Sequence, residues 1–165
     1  MNTQQKHKHW YQRRYITPLM KFLKQGMSSE RLALTVAVGA MIGISPFYGL
    51  TTIICVLIAL LLRLNQSAIQ VANYMVWPLQ IALLIPNIRI GETLFHVEHI
   101  PLHPKEIEIL FKEDWILGIS TFGKSILIGS GFWLLYAIPI GILLYILLVP
   151  IFKSVANKIA QEHKN

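Results

Sequence analysis

The sequence predicts an all-α, polytopic helical membrane protein with a Pro/Gly-broken first hydrophobic region, re-entrant or hairpin, and two further transmembrane helices. Two observations carry this. Of 165 residues, 54% are apolar and only 14% are charged, well below the roughly 25% charged residues of soluble domains. The charges are also missing from three long runs, Leu32 to Leu62, Leu64 to Ile88 and Ser125 to Phe152, whereas a span needs only about 20 apolar residues.

The formal charge of +7 does not point to nucleic acid. Its basic residues cluster at the two ends: Lys6, Lys8, Arg13, Arg14, Lys21, Lys24 and Arg31 precede the first apolar run, and Lys153, Lys158 and Lys164 follow the last. This is the pattern of cytoplasmic flanks on a membrane protein. Residues 1–31 are therefore a basic cytoplasmic leader and 153–165 a basic cytoplasmic tail. The leader is too long for a signal-peptide n-region, and the apolar stretch behind it exceeds an h-region, so the leader is expected to stay on the chain. Cys55 is a lone cysteine inside an apolar run, which offers no disulfide framework and reads as a small buried hydrophobe.

Within the leader, Leu19, Met20, Leu23 and Met27 recur at helical spacing behind Thr17 as N-cap and Pro18 at the first helical position. They predict an amphipathic helix, lying on the membrane surface or packed on the protein. The run 32–62 follows. Pro46 removes a backbone donor, and Gly43 and Gly49 loosen the chain on either side. Leu32 to Ile44 and Leu50 to Leu62 become two helices, each about 20 Å long against a hydrocarbon core of about 30 Å. A hairpin entering and leaving on one face is favoured over a single kinked crossing, because it puts both basic ends on the cytoplasmic side. Gly39 and Gly43 form a small-xxx-small pair suited to close helix approach.

The run 64–88 predicts one transmembrane helix from about Ala68 to Ile88, capped by Asn65, Gln66 or Ser67, with Pro78 and Pro86 inside and Asn73 and Gln80 as polar interior residues. Tyr74 and Trp77 suit an interfacial belt or packing on the hairpin. Residues 89–124 are net acidic, with Glu92, Glu98, Glu106, Glu108, Glu113 and Asp114, and read as a non-cytoplasmic loop. A short amphipathic helix there would start at Pro104 and carry Ile107, Leu110, Phe111, Trp115 and Ile116. The run 125–152 makes a final transmembrane helix kinked at Pro139.

The pattern Arg31-Leu-Ala-Leu, Gly39-xxx-Gly43, Pro46-Phe-Tyr-Gly49 and Leu61-Leu-Arg63-Leu-Asn65 resembles the domain-of-unknown-function 2062 family of bacterial membrane proteins, from about Lys21 to Phe152. Arg31, Gly39, Gly43, Pro46, Gly49, Arg63 and Asn65 match. The family's later Asn-Pro-x-Thr-like element is present as Trp77-Pro78-Leu79-Gln80, with Trp and Gln in the places of Asn and Thr. The resemblance implies this fold and a bacterial cytoplasmic membrane location. Relatives joined to glycosyltransferase-like domains imply envelope or lipid-linked glycan chemistry.

No Asp or Glu lies within the three apolar runs, so a relay of intramembrane carboxylates is not expected. No phosphate-binding loop, nucleophile-base pair or apolar carboxylate pair is found, which argues against an enzyme and calls for no cofactor. His96, Glu98, His99 and His103 lack diagnostic metal spacing, and Pro101 prevents one helix from aligning them. They are expected to be solvated loop residues, with no metal.

Arg63 is the only charge between Leu32 and Ile88. It is expected to snorkel at a helix end or, with Asn65 beside it, to hold a phosphate bidentately. Arg89 has the same pair of readings on the opposite side. The expected ligand is an anionic lipid or polyprenyl-phosphate carrier, bound or translocated at a site made of Arg63, Asn65, the break residues Ser45, Pro46, Tyr48 and Gly49, and Asn73. The competing expectation is a non-catalytic scaffold for an envelope enzyme, using the acidic loop, Trp115 and the glycine-rich faces, which also allow self-association.

Overall fold

The computed structural model describes residues 21–23, 26–97, 99, 112 and 114–162. Five long helices account for most of them: α1 (Ser29–Gly43), α2 (Thr51–Leu61), α3 (Gln66–Met75), α4 (Trp77–Leu94) and α5 (Trp115–Glu162). No strand occurs among the described residues.

The first apolar run divides where Pro46 and Gly49 stand. Ser28 caps α1 by accepting from the Arg31 N–H at 3.3 Å, and α1 ends at Gly43. Gly49 takes φ +83°, a conformation that costs glycine little, and α2 starts two residues later. Backbone outside a helix must find partners within the protein if lipid surrounds it. Here Tyr48 N–H donates to the Pro46 carbonyl and Leu50 N–H to that of Phe47. Two distant side chains reach in as well: Gln80 Nε2 donates to the Ser45 carbonyl at 3.0 Å, and Trp133 Nε1 to the Met41 carbonyl at 3.0 Å.

At the other end of α2 the chain reverses through a Schellman motif. Arg63 N–H donates to the Leu60 carbonyl and Leu64 N–H to that of Ala59, with Arg63 itself in the left-handed region at φ +53°. Asn65 then caps α3, accepting from the Ala68 N–H at 2.9 Å. The chain thus leaves at Arg31 and returns at Arg63 to one shared pocket, which makes α1 and α2 a hairpin.

α3 packs along α1 through small residues. Gly39 lies against the Ile69 backbone and Ala72, and Gly43 against Asn73 and Val76. Leu32, Thr35, Ala68, Ile69 and Ala72 are buried in or beside this seam, and the Thr35 hydroxyl donates within its own helix to the Arg31 carbonyl at 2.7 Å. Phe22, Leu23 and Met27 pack on the Leu32–Ala33–Ala68–Phe152 cluster, so this part of the leader rests on protein. The rest of the predicted leader helix, including Thr17 to Met20, lies outside the described residues.

The single helix expected from Ala68 to Ile88 is two helices, α3 and α4, bent by 62°. The cause is Pro78 in the first turn of α4: it cannot donate to the Tyr74 carbonyl, and its ring crowds that carbonyl. Pro86 lies inside α4 without ending it. The helix continues six residues past Ile88, so the start of the expected acidic loop is helical and packed on α5. Trp115 and Ile116, expected on a separate amphipathic helix, begin α5. Ile107, Leu110 and Phe111 lie outside the described residues.

α5 runs without interruption through Pro139 and Pro150. Its 48 residues make it about 72 Å long at helical rise. It is the one described helix long and apolar enough to cross a membrane, and the bent pair α3–α4 passes the same test when taken together. α5 crosses α4 where Gly91 meets the Ile128 backbone and Gly129 meets Ile88, then runs along α1. At the far end of that contact Lys153 pairs with Glu30 at 2.7 Å. The hydrogen bond from Lys153 holds the Glu30 carboxyl below its ordinary range, so the pair stays charged at neutral pH.

Candidate functional site

The residues expected to form one site fall into two groups at opposite ends of α2. The eleven residues of α2 put about 16 Å between those ends. Arg63 and Asn65 belong to one end. Tyr48, Gly49 and Asn73 belong to the other, while Ser45 and Pro46 are buried beneath the break.

The first group lines a cavity of about 580 Å³ together with Ser28, Arg31, Thr35, Leu64, Phe22, Gly26 and Met27. Two arginines, Arg31 and Arg63, therefore line one pocket. Arg31 was not among the expected site residues, although a hairpin from Leu32 to Leu62 necessarily brings both of its flanking arginines together. Neither arginine has a carboxylate partner among the described residues. The neighbouring Glu30 is taken by Lys153. The pocket also lies at the N-terminal ends of α1 and α3, where Ser28 and Asn65 are the caps, so unpaired backbone N–H groups and the positive ends of two helices add to the field. Chemically it is a donor-rich, anion-accepting pocket with an apolar rim of Phe22, Met27 and Leu64.

Arg63 offers a way to separate backbone from side chain. Glycine fits φ +53° without the strain an L-residue bears, while costing more chain entropy. Arg63→Gly is therefore expected to leave the thermal midpoint unchanged or to stabilise by up to about 1 kcal/mol while deleting the guanidinium. A clear loss of thermal stability in that variant would show that the side chain holds the fold.

The second group lines a smaller cavity of about 170 Å³ with Thr51, Thr52, Tyr74, Trp77 and Gln80. Its polar groups are mostly spent on one another. The Tyr74 and Thr52 hydroxyls are 3.1 Å apart, Gln70 donates to the Thr52 carbonyl at 3.0 Å, and Gln80 is committed to the Ser45 carbonyl. The Ser45 hydroxyl is buried without a hydrogen-bond partner. This end of the hairpin reads as a knot of mutually bonded groups at the surface.

A third polar cluster was missed in the sequence. Glu92, assigned to the acidic loop, is 0% exposed on the α5 side of α4. Arg89 Nη1 donates to it at 2.9 Å and His99 Nδ1 lies 2.8 Å away. Arg89, expected either to snorkel at a helix end or to offer a phosphate ligand, is thus tied to a carboxylate, and His99, largely exposed as a solvated loop residue should be, also reaches Glu92. Nearby, Tyr136 donates to Asn87 Oδ1 at 3.0 Å. The i,i+3 spacing of Arg89 and Glu92 was the available signal. His96 ends α4 in a left-handed conformation. Glu98 and His103 lie outside the described residues.

These features define an all-helical protein with, among the described residues, one helix of membrane-crossing length and a two-arginine pocket at the mouth of a broken hairpin. The chain belongs to the family described as "uncharacterized protein conserved in bacteria (DUF2062)", whose model matches residues 12–160. No curated protein and no solved structure matches it significantly.

Proposed function

We propose that the protein is a multi-pass protein of the bacterial cytoplasmic membrane that binds the phosphate of an anionic lipid or polyprenyl-phosphate carrier between Arg31 and Arg63. The observation that carries this reading is a pair of arginines that line one cavity and have no carboxylate partner among the described residues. Arginine presents a planar fork of donors to phosphate oxygens, and the helix N-termini add favourable field. The role is binding, with carriage of the lipid as its extension, and no catalytic step is needed.

The same geometry is consistent with one membrane placement, which belongs to this proposal. With Arg31, Arg63 and the Glu30–Lys153 pair at the cytoplasmic headgroups, α2 reaches about 16 Å, roughly half of the hydrocarbon core. The hairpin is then re-entrant, α3–α4 crosses outward, and α5 returns with the basic tail inside, as the charge distribution favours. The contact of Glu30 with Lys153 supports a common side for both flanks. Impermeant thiol labelling of intact cells, on a Cys55→Ser background, is expected to modify His103→Cys and to spare Ser67→Cys and Gln161→Cys. Labelling of either of the latter two would reject this topology.

The binding claim is tested by titrating phosphatidic acid into phosphatidylcholine nanodiscs and reading occupancy by native mass spectrometry. Charge-assisted hydrogen bonds contribute about 1.5–3 kcal/mol, so Arg31→Ala and Arg63→Gly should each weaken binding about tenfold or more. Arg63→Lys should recover part of the loss, because an ammonium keeps the charge and loses the fork. Unaltered occupancy in both single variants would refute the site. A stable partner protein with no selective lipid binding would favour the scaffold role instead.

A further inference from the structure

An apolar groove of about 400 Å³ runs beside the arginine pocket. Its floor is α1, through Leu34, Val38 and Met41. One wall is α2, at Ile54 and Ile58, and the other is α5, from Trp133 to Tyr145. One helical turn joins the two cavities on α1: Arg31 and Thr35 line the pocket, and Leu34 and Val38 line the groove. The groove therefore starts where a phosphate held by Arg31 and Arg63 would leave its substituent.

The other end has a stop. Trp133 swings from α5 over α1 and is fixed there by its hydrogen bond to the Met41 carbonyl, with Phe47 edge-on against the indole at 6.3 Å. From Arg31 to Met41 the floor is about 15 Å long. Three helices line this space, which stays open along one side, so a chain within it touches protein on three sides, unlike lipid against the exposed Leu60–Leu62 surface.

We propose that the groove holds a single hydrocarbon chain of the same lipid, so that the ligand class is an amphiphile with one phosphate at Arg31 and Arg63 and one chain running toward Trp133. This rests on the phosphate reading and adds a length limit to it. A chain longer than about 15 Å passes Trp133 and leaves the groove.

The test uses n-alkyl phosphates from butyl to hexadecyl, bound to the full-length protein in neutral detergent and read by native mass spectrometry. Partitioning into the micelle raises apparent affinity with length for every variant. The informative quantity is thus the ratio of unaltered protein to Leu34→Trp, which fills the groove at its mouth from a position already 37% exposed. That ratio should be near unity for butyl phosphate, rise to about tenfold or more as methylenes enter the groove, and level off once the chain spans it. Trp133→Ala, which opens the closed end, should move the levelling-off to longer chains in the otherwise unaltered protein. A ratio independent of chain length, or a levelling-off that Trp133→Ala leaves in place, overturns the groove while leaving the phosphate site standing. Alkyl phosphate binding of every length that survives Arg31→Ala combined with Arg63→Gly overturns the phosphate reading itself.

Discussion

Adding one methyl group at Gly39 is expected to lower stability by about 1–3 kcal/mol, the usual cost of overpacking a well-filled interface. A Cβ built there would stand 2.6 Å from the Ile69 carbonyl oxygen and 3.0 Å from the Ala72 Cβ. The first of these is backbone of α3, which cannot step aside without moving the helix. Gly43 is as tight, since a Cβ there meets the Asn73 carbonyl at 2.8 Å and runs into the Val76 side chain. Two positions serve as controls. Gly123 has nothing within 4 Å, so Gly123→Ala should be neutral or stabilise by up to about 1 kcal/mol through helix propensity. Gly49 has equal room but φ +83°, so Gly49→Ala should fall between, through backbone strain alone. Thermal aggregation midpoints in detergent give the order directly. Equal midpoints for Gly39→Ala and Gly123→Ala would mean that α1 and α3 do not touch through this seam.

Glu92→Ala is expected to be the most damaging change at the α4–α5 crossing. The carboxylate is 0% exposed, and its loss strips Arg89 and His99 of a shared partner. Breaking a fully buried pair costs about 3–5 kcal/mol. Arg89 is 38% exposed and His99 67%, so water recovers part of that, and about 2–3 kcal/mol is the expected loss. Glu92→Gln keeps the shape and two acceptor lone pairs, and should fall between Glu92→Ala and the unaltered protein. The same midpoint measurement checks this. Glu92→Ala melting with the unaltered protein would place the carboxylate in water.

What was legible in the sequence was the chemistry that acts within a few residues. Pro46 and Gly49 mark the break because one lacks a donor and the other tolerates positive φ. Asn65 marks a cap for the same local reason. Gly39 and Gly43 were legible as a close-approach pair, though not which helix would approach. The 62° bend was harder: Pro78 was visible, but transmembrane helices often carry proline, and Pro86, Pro139 and Pro150 sit within continuous helices. Position decided the outcome, since Pro78 follows the last turn of α3, where α3 is already held by α1.

The site was legible in its main residue and not in its assembly. Arg63 stood out as the lone charge in a long apolar region. Its grouping with Tyr48 and Gly49 ignored the length of α2, which separates them. The other arginine lining its pocket, Arg31, looked like one more basic residue of the leader. Only the hairpin, taken to its geometric consequence, sets the two side by side. Glu92 was hidden for a different reason. It lies just past the last residue of an apolar run, where composition reads as loop, and its burial depends on how α5 crosses α4 at Gly91.

A phosphate held between Arg31 and Arg63 is most directly measured as the phosphorus content of protein purified in phosphate-free neutral detergent. The unaltered protein should retain stoichiometric, extractable lipid phosphorus. The double variant Arg31→Ala with Arg63→Gly, whose fold the second substitution preserves by fitting the left-handed turn, should retain almost none. Equal lipid phosphorus in the two proteins, at equal thermal stability, would contradict the account.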